Sequence, residues 1–434
     1  MERISSLVVP IINRIRSLRC LLPALQLTLF FSHIIAPIPS LEVLRLETET
    51  AVRIESLFGR PRPSRLRSMV LRNIIMSLTS PWFNDLLSLS LSDVYIGEAA
   101  LAPSTRDYLR ILEKSPDLET LDLFQERITS SVGNPAIREV RLPNLRTLSL
   151  CSFHALDLLD YINIRRSCSV KLERYYRNSQ TPSDPFAPYS REPNLVMTRF
   201  RSIRHLDITL GRCSLTLCGK GDYDPSARLH RDRIRFTIQL QAPLLSATVG
   251  SLSDHFELPE LRSLEIHVRH THTADSTTEA VRWSAFMRKM PNLAVVVVEG
   301  INPLGFHLAL SLPHPRNTPS LPCPQLTTLR FVPQASVDGV VNYAWRCLAQ
   351  SLRVRAQQNA PISKLILDPT LGIMMTPEDV IELQALVSMT FGTTLSSNDQ
   401  MTWDELQEKL GAGLLGEFVD RLSEPYRTAI TALN

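Results

Sequence analysis

Three histidines crowd into HVRHTH, at His267, His270 and His272, and imidazoles that close could ligate zinc. The spacing opposes it. If His267 ends the strand that begins near Leu264, the other two fall in the following loop, and no nearby Cys or carboxylate completes a four-ligand set. Cys213 and Cys218 enclose SLTL without a second pair, and read as a buried thiol and a loop thiol. Gly219-Lys220-Gly221 is too short for a phosphate loop and lacks the Ser/Thr that would meet magnesium. No G-x-S-x-G elbow, H-E-x-x-H helix or kinase set is present, and no motif places two carboxylates for acid/base work. The basic run Arg60, Arg62, Arg65, Arg67 and Arg72 lacks the interleaved aromatics that stack bases, so it reads as a solvated turn leading into a strand. These residues point to a protein that is not an enzyme, with no cofactor and no metal.

Composition narrows the classes further. Over 434 residues, 47 basic and 43 acidic side chains leave a net charge of +4, too small an imbalance to imply a nucleic-acid partner. Hydrophobic residues make up 44% and charged residues 21%, as in a globular chain and unlike a disordered one. The 7 cysteines are scattered, odd in number and without a Cys-x-x-Cys pair, and no Asn-x-Ser/Thr acceptor occurs. With no signal peptide, this fits a reducing intracellular compartment, cytoplasmic or nuclear. Leu21 to Ile38 carries no formal charge, but Pro23, Gln26, His33 and Pro37 interrupt it. Buried strand and turn segments explain it better than a membrane span.

The elements that would position any site come from a repeat. SPDLETLDL and LPNLRTLSL each read Leu-x-x-Leu-x-Leu behind a Pro, and an apolar residue at positions one, four and six recurs from Leu41, Leu66, Leu86, Leu118 and Leu145. It returns at Ile203, Leu261, Leu293, Leu326 and Ile362, with weaker copies at Ile4 and Leu22. Two long gaps have room for degenerate copies, SCSVKLE near Val170 and RIRFTIQL near Phe236. The final residues of each unit alternate apolar and polar as a half-buried strand does. Between strands, Thr105–Lys114 and Thr277–Met290 place Tyr108, Leu109 and Leu112, then Ala280, Trp283, Phe286 and Met287, on helical faces. The expected fold is an α/β leucine-rich-repeat solenoid, a horseshoe with a parallel inner sheet and outer helices or loops.

The solenoid is expected over residues 1–370, with surface insertions at about 173–193 and 219–233 that are either recognition loops or tolerated drift. Residues 371–434 are expected to form a C-terminal helical cap. There Thr376 precedes Pro377, Glu378 and Asp379, and Thr402 precedes Glu405 by three, both helix-start signatures.

The run from Leu86 to Leu172 resembles the fungal F-box and leucine-rich-repeat proteins. In that family an F-box docks the adaptor of a cullin-based ubiquitin ligase while the horseshoe selects the substrate. The resemblance implies a substrate-receptor role and such an adaptor as a partner. An F-box would open on a Leu-Pro-x-Glu helix, whereas ISSLVVP and IRSLRC begin almost at once, so the likeness is to the repeat portion.

With the repeat phased, the polar residues between leucines face the concave side of the sheet. Arg45, Glu47, Asp122, Phe124, His205, Asp207, Glu265, Arg330 and Lys364 are the candidate partner-binding set, among the hydroxyls of Ser88, Ser90, Thr120, Thr147, Ser149, Ser263 and Thr328. Such a wide, mixed surface suits a protein or peptide and not a small substrate. The expected function is a non-enzymatic protein-recognition scaffold, with Phe124 its exposed aromatic.

Overall fold

The computed structural model describes residues 9–34, 37–54, 61–94, 103–124, 139–151, 158–159, 161–165, 167–174, 200–211, 214–221, 223–224, 229–230, 234–239, 245–268, 276–299, 303–312, 321–332, 341–369, 371, 375–392 and 400–411. His270, His272, Cys213, Arg60 and most of the 173–193 insertion lie outside them. The chain divides into two compact units, each mixed α/β with a mostly parallel sheet.

Several strands are launched by the same device. A turn of form X-Pro-x-Leu closes with a hydrogen bond from the leucine N–H to the carbonyl of X: Leu118 to Ser115, Leu145 to Leu142, Leu261 to Leu258, Leu293 to Met290 and Leu326 to Cys323, at 3.1 to 3.2 Å. Pro pre-sets the backbone at the second position of such a turn. The leucine it delivers is 0–2% exposed in each case. The residue after that leucine then offers one carbonyl to two N–H groups of the next repeat. Glu42 O accepts from Arg67 and Ser68, Arg67 O from Leu87 and Ser88, Leu87 O from Glu119 and Thr120, and Glu119 O from Arg146 and Thr147. The second unit repeats the scheme through Arg204, Arg262, Ala294 and Thr327.

The first unit comprises Met1–Arg177, Pro193–Val196 and Tyr223–Gln239. Its sheet strands are β1 (Ser17–Leu21), β2 (Val43–Arg53), β3 (Ser68–Ile75), β4 (Ser88–Ser92), β5 (Thr120–Phe124), β7 (Thr147–Cys151), β9 (Ser169–Arg174) and β14 (Ile234–Gln239), with β6 (Val140–Leu142) and β8 (Ile162–Ile164) paired apart from them. Adjacent strands run parallel, in register. The two degenerate repeats expected in the long gaps are β9 and β14, and they pair with each other. Register slips only where β2 bulges between Glu47 and Val52; there Asn73, at φ 56°, donates its side-chain amide to Thr48 O at 2.7 Å.

The second unit comprises Asn178–Glu192, Met197–Asp222 and Leu240–Asn434. It contains β10 (His205–Gly211), β11 (Ser214–Lys220), β15 (Ser263–Val268), β16 (Val295–Glu299), β17 (Thr328–Val332), β18 (Lys364–Leu367), β19 (Ser388–Gly392) and β20 (Gln400–Met401), while the short β12 (Tyr223–Asp224) and β13 (Leu229–His230) form a hairpin in the first unit. The order is β11-β10-β15-β16-β17-β18-β19-β20, parallel except at its two ends. Helices Ser276–Arg288, Pro303–Ala309 and Val341–Gln357 supply the apolar filling. Trp283 meets Phe306 at 5.6 Å between ring centroids, and Phe306 meets Phe331 of β17 at 6.2 Å.

Three expectations are corrected. Leu22, Leu25 and Leu27 do not form a strand: Ala24–His33 is a 10-residue helix burying Leu27, Phe30 and Phe31, because the i, i+3, i+4 spacing outweighs the six-residue leucine match. Cys218, Gly219 and Lys220 belong to β11 and not to a loop, since β10 folds back on itself as an antiparallel hairpin. Residues 371–411 are not purely helical. Between helices Pro377–Gln384 and Trp403–Gly411, Ser388–Gly392 (SMTFG) forms one more strand, β19, parallel to β18, with Phe391 fully buried. Both capping boxes form: Asp379 N–H reaches Thr376 Oγ1 at 3.2 Å, and Glu405 N–H reaches Thr402 Oγ1 at 3.2 Å. Among the described residues no helix is long and apolar enough to cross a membrane.

Arg355 is the least expected core residue. It is fully buried, and its guanidinium donates to Leu310 O at 3.2 Å, Pro322 O at 2.8 Å and Cys323 O at 2.7 Å. Cys323, held at φ 46°, donates its thiol to Met287 O. Burial pushes that thiol up to about 12, so it is no nucleophile at neutral pH. Arg355→Met fills similar volume but strands three buried carbonyls. It should lower the unfolding free energy by about 3 kcal/mol in chemical denaturation, whereas the exposed Arg346→Met should leave it unchanged.

Candidate functional sheet faces

Because side chains alternate along a strand, burying positions four and six of every repeat forces the residues between them onto the opposite face. In the first unit the register lines these up in three rows across the strands. One carries hydroxyls, Ser68, Ser88, Thr120, Thr147 and Ser169. The next runs Arg19, Arg45, Val70, Ser90, Asp122, Ser149, Lys171 and Arg235. The third runs Leu21, Glu47, Arg72, Ser92, Phe124, Cys151, Glu173 and Thr237. Arg45 and Glu47 are salt-bridged, Ser90 donates to Asp122 at 3.2 Å, and Lys171 pairs with Glu173 at 2.8 Å. Phe124 is 36% exposed among them.

The second unit brings its expected residues together differently. His205 lies opposite Ser263 and Lys220, Asp207 opposite Glu265, and Arg330 between Val297 and Ile366; Lys364 shares a row with Thr328. The residue that ties the face together was not in the expected partner-binding set. His267, one alternation beyond Glu265, bonds Glu299 of β16 through Nδ1 at 2.6 Å, while its Nε2 lies 3.7 Å from Glu265 and 4.0 Å from Asp207. One imidazole thus spans three strands. Continuing the alternation to the residue just past each L-x-x-L-x-L would have found His267, Glu299 and Arg72; weighing His267 only as a metal-ligand candidate concealed it.

The electrostatics follow from that geometry. The close charge contact with Glu265, then the hydrogen bond to Glu299, with Asp207 nearby, outweigh burial and raise His267 to about 9. Glu265 is lowered in turn, chiefly by its contact with His267, with Lys220 and Arg330 contributing. A histidine held protonated at neutral pH serves as a fixed cation and not as a general base. Among the described residues no group of three or more His, Cys, Asp or Glu is arranged to hold a metal ion. Part of the basic run is consumed internally: Arg62 donates to Leu66 O at 2.8 Å and Arg67 to Asp85 O at 3.3 Å.

The folded chain favours protonated His267, so its contribution is complete below its unfolded value of 6.5 and fades as pH rises through about 9. In thermal unfolding, His267→Gln should destabilise by about 1 kcal/mol at pH 6, a value discounted for half-exposed carboxylate partners. The difference should vanish by about pH 10. A constant difference across that range would mean that packing, and not charge, is what the histidine supplies.

No protein-family model matches this chain, and no curated protein matches it.

Proposed function

We propose that each unit is a stretch of leucine-rich-repeat solenoid, and that the protein is a non-enzymatic recognition scaffold binding a partner protein along its polar sheet face. The observation that carries this reading is the in-register alignment of Arg45, Ser90, Asp122, Ser149 and Lys171, with Phe124 exposed in the adjacent row. A sheet face of this kind offers a linear series of polar and charged contacts at a fixed spacing of roughly 4.8 Å per strand. That geometry matches an extended polypeptide better than a compact metabolite. The exposed aromatic supplies the kind of anchor around which binding energy concentrates.

The buried thiol of Cys323 and a His267 protonated at neutral pH favour a binding role over chemistry at these positions. Photo-crosslinking tests the reading. A benzophenone amino acid at position 124 should give a discrete adduct with a partner polypeptide in cells, and one at the exposed helix residue Glu113 should give none. Identical adducts from both positions, or none from 124, would remove the sheet face as the recognition surface.

A further inference from the structure

The polar face of the first unit is not evenly charged. Its rows carry the cations Arg19, Arg45, Arg72, Lys171 and Arg235 against the carboxylates Glu47, Asp122 and Glu173. Two of those carboxylates are already neutralised, Glu47 by Arg45 and Glu173 by Lys171. Arg19 and Arg72 are exposed and make no hydrogen bond or ion pair among the described residues. The excess is therefore positive, and it is divided: Arg19 and Arg72 stand on β1 and β3, Arg235 beside Lys171 on β14 and β9. Between these flanks, β4, β5 and β7 present Ser90, Ser92, Ser149 and the Phe124 ring, with Asp122 as the carboxylate there.

Resting on the recognition role proposed above, we infer that this face takes an extended acidic segment of a partner protein. The segment lies across the strands, with an apolar residue on Phe124 and an acidic residue toward each basic flank. The spacing can be stated. Phe124 on β5 is two strands from Arg72 on β3 and three from Arg235 on β14, so the two flanking cations lie roughly 10 Å and 14 Å away at 4.8 Å per strand. An extended chain covers those spans in about three and about four residues. The expected pattern is therefore acidic, two intervening residues, apolar, three intervening residues, acidic. Asp122, in the centre, repels an acid placed in the middle and so strengthens the pattern. Small serine side chains flanking the ring let the segment approach the sheet closely.

The test is a selection of random linear peptides displayed against the immobilised full chain. Peptides carrying the acidic-apolar-acidic spacing should be enriched. Their binding should weaken roughly tenfold or more in Phe124→Ala, as for removal of an anchor. Arg72→Glu should weaken it at least as much, with strong salt dependence. Both side chains are exposed, and unchanged circular dichroism and melting would show that the variants fold. Enrichment of neutral or basic peptides that still depend on Phe124 would overturn the acidic specificity while leaving the recognition role standing. Failure to enrich any peptide dependent on Phe124 would remove both. Tight retention of labelled single-stranded polyuridine, lost in Arg72→Glu, would instead assign the face to a nucleic-acid backbone and overturn the inference.

Discussion

One backbone carbonyl per repeat, accepting two N–H groups from the next repeat, is the constraint on which the rest of the structure depends. It acts just after the buried leucine of the X-Pro-x-Leu turn, where the backbone leaves the core and enters the sheet. Fixing that point fixes the register of the whole strand, and a slip of one residue would reverse every side chain between core and solvent. Because the same bond recurs from Arg16 to Glu119 in the first unit and from Arg204 to Thr327 in the second, register is inherited from strand to strand. The interval between repeats varies without cost to the sheet, since the connecting segments do not enter that bond.

The polar rows are a by-product of this arrangement and also its functional opportunity. Once Leu121 and Leu123 are committed to the core, Thr120, Asp122 and Phe124 have nowhere else to go. Where both faces of a strand are apolar the logic changes. β16 reads VVVVE and β18 reads KLIL; Val297 and Ile366 stand on the polar side yet are 3% and 1% exposed, on either side of Arg330. The polar face of the second unit is therefore partly closed over at its centre, and its charge is gathered on β10, β15 and β16 around His267. That of the first unit stays open, with cations at its margins.

Two buried or half-buried cations show how charge is handled without a simple ion pair. The terminal nitrogens of Arg355 donate to carbonyls at the ends of neighbouring segments, so it fastens Leu310 and Cys323 to the helix Val341–Gln357. That helix closes on Asn359 at φ 57° with Ala360 N–H returning to Arg355 O at 2.9 Å, which places the same residue at both a cap and a core contact. His267 performs the equivalent task on the sheet surface, joining carboxylates from three strands. Removing Arg355 strands buried carbonyls, whereas the carboxylates around His267 are half exposed and can turn to water.

The ten repeat starts from Leu41 to Ile362, the two degenerate copies that became β9 and β14, both C-terminal capping boxes and the inward faces of the helices around Tyr108 and Trp283 were legible in the sequence, whereas the copy at Leu22 was not and that at Ile4 lies outside the described residues. Each depends on residues within one turn or one strand of each other, and local sterics and hydrogen bonding decide them. So was the polar set from Arg45 to Lys364, because alternation is a local property. Tertiary structure decided the helix at Ala24–His33, since six residues satisfy period two and period 3.6 alike until a core selects one. It also decided that β10 and β11 turn back antiparallel, and that SMTFG joins the sheet as β19. Above all it decided which polar residues meet: His267 and Glu299 are 32 positions apart and become neighbours only through the register of β15 on β16. Local pattern determines which face a side chain takes, but strand pairing determines its company, and that pairing is set by a shared core that no single repeat contains.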